Sequence, residues 1–341
     1  MSVSIPLARA ATLQIATRFL GATGVPVERL LERARLSPRV IENPETLIPF
    51  VAVTRFVEDA ARTQGISDLG LRMGVPSSVQ QLGTFGRLIT QSLTLHDALE
   101  TAYSVWSGFN SGVRTWLTRR GDEVALHHRF LHGDAGDWGQ FAAAALVTYL
   151  NFLGAVAGPG WRPTAVGVPF RSLSGTREVP LLANTRIELG RPWMTVTFAA
   201  SMLNRPLPRF PGAGTKAAND DWKHSTPAAD VGGALQQVVT SLLPDGYPDI
   251  QLVAEAVHMS PRTLQRRLHG EGLTFARVVA KARFSEAQRM LGEPGRKVID
   301  VALDLGYSDP AHFTRAFGRW TGVAPREFRR RVAEGGERVR P

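Results

Sequence analysis

The chain has 341 residues, 43% of them hydrophobic and only 21% charged, enough for two domains with substantial cores. A net charge of +10 favours a polyanionic partner, and the complete lack of cysteine excludes disulfides, thiolate zinc sites and thiol catalysis. From residue 231 onward there are 17 Lys/Arg and 12 Asp/Glu, so net positive charge per residue is about twice as high at the C-terminal end. At the N-terminus, Arg9 and Arg18 interrupt any apolar run, which argues against a secretory signal. Residues 1–110 then read as short helices. Val27, Leu30, Leu31 and Ala34, followed by Val53, Phe56, Val57 and Ala60, keep helical spacing, with starts expected at Ser37-Pro38 and Pro49.

Gly112 to Phe130 changes period. Val113, Thr115 and Leu117, then Val124 and Leu126, alternate around Arg119-Arg120-Gly121-Asp122, which predicts a hairpin. Trp138 to Trp161 carries no charge and is long enough to cross a bilayer. Gln140, Thr148, Tyr149, Asn151 and Gly154 within it favour a buried central helix instead, and Ala142–Ala145 suits close helix packing. Thr164–Val168, Thr185–Leu189 and Met194–Phe198 are further strands, so residues 1–203 form a mixed α+β domain, helical in one half with a small sheet. Residues 204–232 hold prolines 206, 208, 211 and 227 and the run Asn219-Asp220-Asp221. They read as a linker with little to bury.

After the linker one helical pattern is written twice. Ile250, Val253, Ala254 and Val257 fall at i, i+3, i+4, i+7, and Val298, Val301, Ala302 and Leu305 repeat them 48 residues on. Each run leads to a capped helix start, Ser260-Pro261 and then Asp309-Pro310, since Ser or Asp satisfies free N–H groups and proline at the first position loses no bond. Leu264 and Leu268 match Phe313 and Phe317, while Arg262 and Arg266, or Arg315 and Arg319, take the opposite face. Two such pairs are two helix-turn-helix units. A helix near Gly233 precedes them, a long helix from Thr274 through Leu291 joins them, and a short helix at Pro325–Arg331 follows. The expected organisation is an all-α DNA-binding domain over 233–333 and a basic tail over 334–341.

These residues resemble the AraC/XylS family of bacterial transcription regulators. The likeness rests on Leu252-Val253-Ala254, Ser260 and Leu264-Gln265-Arg266 in the first unit. In the second it rests on Ile299, Val301-Ala302, Leu305-Gly306-Tyr307-Ser308-Asp309 and Phe313-Thr314-Arg315-Ala316-Phe317, then Trp320 to Pro325 with Phe328-Arg329. The N-terminal part is similar to the arabinose-binding-like effector domain of one branch, through Ile5-Pro6, Leu82-Gly83, Gly86, Leu93-Thr94-Leu95 and Ala98-Leu99. That likeness implies sensing or dimerisation and names no ligand.

Taking Leu264 and Phe313 as inward, 100° per residue puts Arg262 and Arg266 nearly opposite with Thr263 and Arg267 on the flanks, and Ala311 and Arg315 outward with His312 and Arg319 beside them. The family likeness implies the same outward faces, which makes Arg262, Thr263, Gln265, Arg266, Ala311, His312 and Arg315 the candidates for base edges in a major groove. Arg267, Arg319, Arg329 and Arg330 are placed as phosphate contacts. For any one of these arginines a solvated surface charge is the competing reading. Trp106, Trp116, Tyr149 and Trp161 could line an effector pocket or simply fill the core. His128 and His132 would share a strand face at metal-ligand spacing, with His127 beside them, but no further ligand completes a site, and no metal or cofactor is expected. An enzyme fused to this DNA-binding domain, as in alkyl-transfer repair proteins, needs a reactive cysteine that is absent. The expectation is therefore a cytoplasmic, non-enzymatic regulator that binds double-stranded DNA. A small-molecule effector, a homodimer and, for an activator, RNA polymerase are its further partners, with no membrane. The alternative is a regulator whose N-terminal domain only oligomerises or binds a protein.

Overall fold

The computed structural model describes residues 4–133, 135–210, 222 and 225–333. Much of the expected linker, with Pro211 and Asn219-Asp220-Asp221, and the basic tail at 334–341 lie outside the described residues.

The chain opens with strand β1 (Leu7–Arg9), which pairs antiparallel with β2 (Leu47–Pro49). Between them lie α1 (Gln14–Ala22) and α2 (Val27–Arg33). The start expected at Ser37-Pro38 is a 3-10 turn, Pro38–Ile41; Ser37 accepts the Arg39 N–H, but the chain must turn at once to reach β2. Pro49 does precede a helix, α3 (Phe50–Gln64), ended by Gly65 in the left-handed conformation. Then come α4 (Leu69–Gly74), α5 (Gly83–Thr90) and α6 (Leu95–Phe109), the last opened by a capping box between Thr94 and Asp97.

The predicted hairpin is present as β3 (Val113–Arg120) and β4 (Glu123–Phe130), turning through Gly121 at φ +57. The uncharged stretch forms α7 (Ala135–Ala157), kinked at Trp138. Leu146, Val147, Leu150 and Leu153 on it are fully buried, as a central helix requires. Close approach to α4 is possible because Gly70 and Gly74 face it: a Cβ on Gly70 would stand 2.1 Å from the Gln140 carbonyl oxygen. Strands β5 (Ala165–Gly167), β6 (Arg186–Glu188) and β7 (Met194–Ala199) complete a five-stranded sheet among the described residues, ordered β3-β4-β7-β5-β6, antiparallel except for β5 with β6. Helix α6 packs on β3 and α7 on β7.

The C-terminal part is helical: α8 (Val231–Leu242), α9 (Ile250–Ala256), α10 (Pro261–Gly270), α11 (Phe275–Leu291), α12 (Val298–Asp304), α13 (Pro310–Thr321) and α14 (Pro325–Ala333). Helix α8 starts two residues before Gly233 because Asp230 caps it through the Gly233 N–H at 2.6 Å. One core joins Val253, Ala254, Leu264, Leu268, Val301, Phe313 and Phe317. Ile5, Leu7 and Leu47 from the chain's beginning pack into the same core, a connection that the sequence pattern gave no sign of.

Trp222, inside the expected linker, is also buried. Arg9 lies against it, itself only 1% exposed, with its guanidinium 4.8 Å from the indole ring. Arg9 donates to the carbonyls of Gly108, Glu45, Trp222 and Ser225 at 2.9–3.1 Å.

Candidate functional site

The two repeated units superpose in detail along the sequence. Helices α9 and α12 have seven residues each, and α10 and α13 both begin at proline behind a capping side chain. Ser260 Oγ accepts from the Thr263 N–H at 3.1 Å, and Asp309 Oδ1 from the Ala311 N–H at 2.8 Å. Phe313 and Phe317, like Leu264 and Leu268, have no exposure, so the inward directions of both helices are fixed.

With those faces inward, Arg262, Gln265 and Arg266 on α10 and Ala311, His312 and Arg315 on α13 are exposed. Thr263 is half-buried, and its hydroxyl is engaged with Ser260 Oγ at 2.9 Å. His312 Nε2 stands 3.8 Å from Asp309. Arg262, Arg266 and Arg315 make no ion pair among the described residues, whereas Arg289, Arg296, Arg330 and Arg331 of the same domain are all paired. Of the residues placed at phosphate, Arg319 is exposed beside His312 and Arg315 along one groove. Arg330 pairs with Glu327 at 2.7 Å. Arg329 turns inward, donating to the Leu291 carbonyl at the end of α11, and Arg267 is half-buried toward His132.

Arg283, which the sequence reading passed over, positions the second unit. It projects from α11 and donates to the carbonyls of Leu305 and Gly306 at 3.0 and 3.1 Å, closing the end of α12. Its guanidinium stacks between Tyr247 and Tyr307, 4.7 and 4.3 Å from their ring centres. The turn before α13 is thus tied to the connecting helix, which at 17 residues is about 25 Å long.

The N-terminal part holds a cavity of about 100 Å³ between α4, α5, α6, α7 and strand β4. Phe85, Ile89, Leu99, Trp106, His128 and Tyr149 are among its walls. Of the four aromatic candidates, Trp106 and Tyr149 line this cavity, and Trp116 and Trp161 do not. Pairing of β3 with β4 puts Trp116 opposite His127 on the other sheet face, where the rings stack at 4.9 Å beside Trp193. Trp161 packs near Leu181 beyond the far end of α7.

His128 and His132 do not share a strand face. Strand β4 ends at Phe130, so the alternation that would align the two does not extend to His132, and His127 faces the opposite side. His128 instead points into the cavity, 3% exposed, with Nδ1 2.8 Å from the Tyr149 hydroxyl. Burial lowers its pKa to about 3, so it is neutral at ordinary pH, and burial raises that of the Tyr149 phenol. Its Nε2 and the Nε1 of Trp106 are buried without a hydrogen-bond partner among the described residues. Each such orphan costs about 1–3 kcal/mol. Unpaired polar atoms on the wall of an apolar cavity are what a bound molecule would satisfy.

Two capped recognition-type helices carried on one connecting helix, behind an α+β domain with a cavity, define a two-domain DNA-binding regulator. The family model described as the arabinose-binding domain of AraC transcription regulators matches residues 24–207, and a helix-turn-helix domain model matches residues 253–331. The chain belongs to the AraC-type transcription regulators, with that family's effector-binding type of N-terminal domain. It is 25% identical to the ornithine utilization regulator of Pseudomonas aeruginosa, over 90% of this chain and 91% of that one. It is likewise 25% identical to the transcriptional regulator VirS of Mycobacterium tuberculosis, over 92% of both. Among solved structures, the regulator CdpR of Pseudomonas aeruginosa aligns with a TM-score of 0.39 at 22% identity, covering 89% of this chain and 96% of that one.

Proposed function

We propose that this regulator reads a specific DNA site with the exposed faces of α10 and α13, and that a small molecule in the N-terminal cavity adjusts that binding. The observation that carries the DNA reading is the matched pair Arg266 and Arg315. Both are exposed and make no ion pair among the described residues, one on each capped helix, at equivalent positions. Arginine suits bidentate contact with guanine O6 and N7, and an arginine held in no ion pair gives up none on binding. Arg262, Gln265, Ala311 and His312 complete the two faces, and Arg319 serves the phosphate backbone. A single chain would read an asymmetric site of two successive major-groove segments, and a homodimer two copies of it. RNA polymerase is the further partner if the chain activates.

The effector half of the proposal rests on the cavity and its orphan nitrogens. Neither the sugar in the family model's description nor the basic amino acid in one relative's name suits it. Among the described residues the walls include no Asp, Glu, Lys or Arg, and few hydrogen-bonding groups for a polyol.

The test is binding of the purified chain to DNA upstream of its own and neighbouring genes, against random DNA, across a salt series. Specific binding that survives near-physiological salt, when random binding is lost, supports a site-specific regulator. Equal, salt-sensitive binding to every upstream fragment and to random DNA opposes it. A ligand-induced rise in melting temperature separates an effector domain from one that only oligomerises.

A further inference from the structure

The cavity restricts its ligand more than the family does. Its polar wall groups are mostly committed to the chain already. Thr12 Oγ1 donates to the Arg9 carbonyl, Thr148 Oγ1 to that of Ala144, and Asn110 Oδ1 accepts the Gly112 N–H. Two wall nitrogens are buried with no hydrogen-bond partner among the described residues, the indole N–H of Trp106 and Nε2 of His128, on rings whose centres lie 5.9 Å apart at nearly right angles. The indole can only donate. The imidazole Nε2 accepts or donates according to how the Tyr149 hydroxyl is shared with Nδ1.

Among the described residues no charged side chain lines the cavity, so an anion or cation would be desolvated there with no described charge opposite it. The space sets the size. A cavity of about 150 Å³ takes up benzene, so one of about 100 Å³ has room for no more than one ring, and for that only once wall side chains shift.

We infer that the cavity is a binding site for an uncharged, mostly apolar molecule about one aromatic ring in size, carrying a single hydrogen-bonding head that meets Trp106 Nε1 and His128 Nε2. This deepens the effector reading above and rests on it. Phenol is the smallest molecule with all of these properties. Its oxygen accepts from the indole and its hydroxyl proton faces the imidazole, while its ring lies among Phe85, Ile89 and Leu99.

The test titrates the full-length chain with phenol, toluene, benzoate, benzylamine and D-xylose, followed by calorimetry and thermal melting at pH 7. Phenol should bind and raise the melting temperature. Toluene, which has no head, should bind about 3–10-fold more weakly, and benzoate, benzylamine and D-xylose at least 100-fold more weakly. Trp106→Phe should reduce the ratio of phenol to toluene affinity toward one, a change in preference that a merely unstable variant would not produce. Benzoate, benzylamine or D-xylose binding as tightly as phenol overturns the inference. So does equal binding of phenol and toluene, and so does no binding by any of the five. Promoter binding by the same preparation is scored separately. Phenol binding without site-specific DNA binding sinks the regulatory reading and keeps the ligand class; the reverse sinks the ligand class alone.

Discussion

Arg266 and Arg315 stand at the same place in two copies of one unit, but only their effect on sequence preference distinguishes a base contact from a phosphate contact. Replacing either by alanine should weaken cognate binding by about 1–3 kcal/mol, or 5–150-fold, while random DNA loses much less. Equal losses on both DNAs would reassign them to the backbone. His128 gives a second residue-level expectation. Its pKa falls from the ordinary 6.5 to about 3 on folding, so between those values the unfolded chain binds a proton that the native chain does not. Stability should therefore fall as pH drops from about 6.5 toward 3, by at most about 1.4 kcal/mol per unit, and be indifferent to this group above pH 6.5. Denaturant unfolding of His128→Gln should show a flatter dependence between pH 6 and 4 than the native sequence. An unchanged slope would place the proton uptake elsewhere.

The duplicated helix pairs also make a comparison within one molecule. The turn of the first unit passes through His258 at φ +55, and that of the second, 48 residues on, through Gly306 at φ +70. Only glycine enters that region without strain, so His258→Gly should raise stability by about 0.5–1 kcal/mol, the relief exceeding glycine's entropy cost. Gly306→Ala should lower it by at least about 1–3 kcal/mol, because the new Cβ would also meet the Gly246 carbonyl oxygen at 2.6 Å. Opposite shifts in melting temperature are expected, and shifts of the same sign would contradict the reading. Elements of this kind were legible in the sequence because period, cap and proline agree within a dozen residues. The hairpin was legible for the same reason, by alternation around Gly121. The pairing of β1 with β2 was not: Leu7–Arg9 and Leu47–Pro49 are too short to carry a period and lie 40 residues apart. The cavity was half legible. Trp106 and Tyr149 could be named as candidates, but helically spaced aromatics look the same in a filled core. His128 carried the missing signal, as the polar member of the inward series Val124, Leu126, His128.

At the scale of the whole molecule, the beginning of the chain ties its two halves together. In β1, Leu7 enters the C-terminal core, Ala8 enters the core around α1 to α3, and Arg9 holds the backbone at Trp222 and Ser225. The ion pairs Arg35–Glu255 at 2.8 Å and Arg39–Asp304 at 3.4 Å add exposed contacts, each of small worth. Arg9 is different in kind. Burial lowers its pKa to about 10, against the raising effect of Glu45, so it is charged at neutral pH while almost wholly enclosed. Its hydrogen bonds to Gly108 and Glu45 on one side, and to Trp222 and Ser225 on the other, make one group answer for carbonyls from both sides of the junction. Gly108 adjoins Phe109 and Asn110, which line the cavity, so the same arginine lies between the ligand site and the segment leading to α8. Arg9→Met keeps the bulk of the side chain and leaves those carbonyls unmet, at a cost of about 3–5 kcal/mol. In scanning calorimetry the native sequence should unfold in one transition, because the halves share a core through Ile5 and Leu7. Arg9→Met should melt earlier and separate into two transitions, with the C-terminal half still binding DNA in isolation from the cavity's state. A single transition at an unchanged temperature would mean that Arg9 does not join the halves, and that the apolar contacts of β1 hold them together alone.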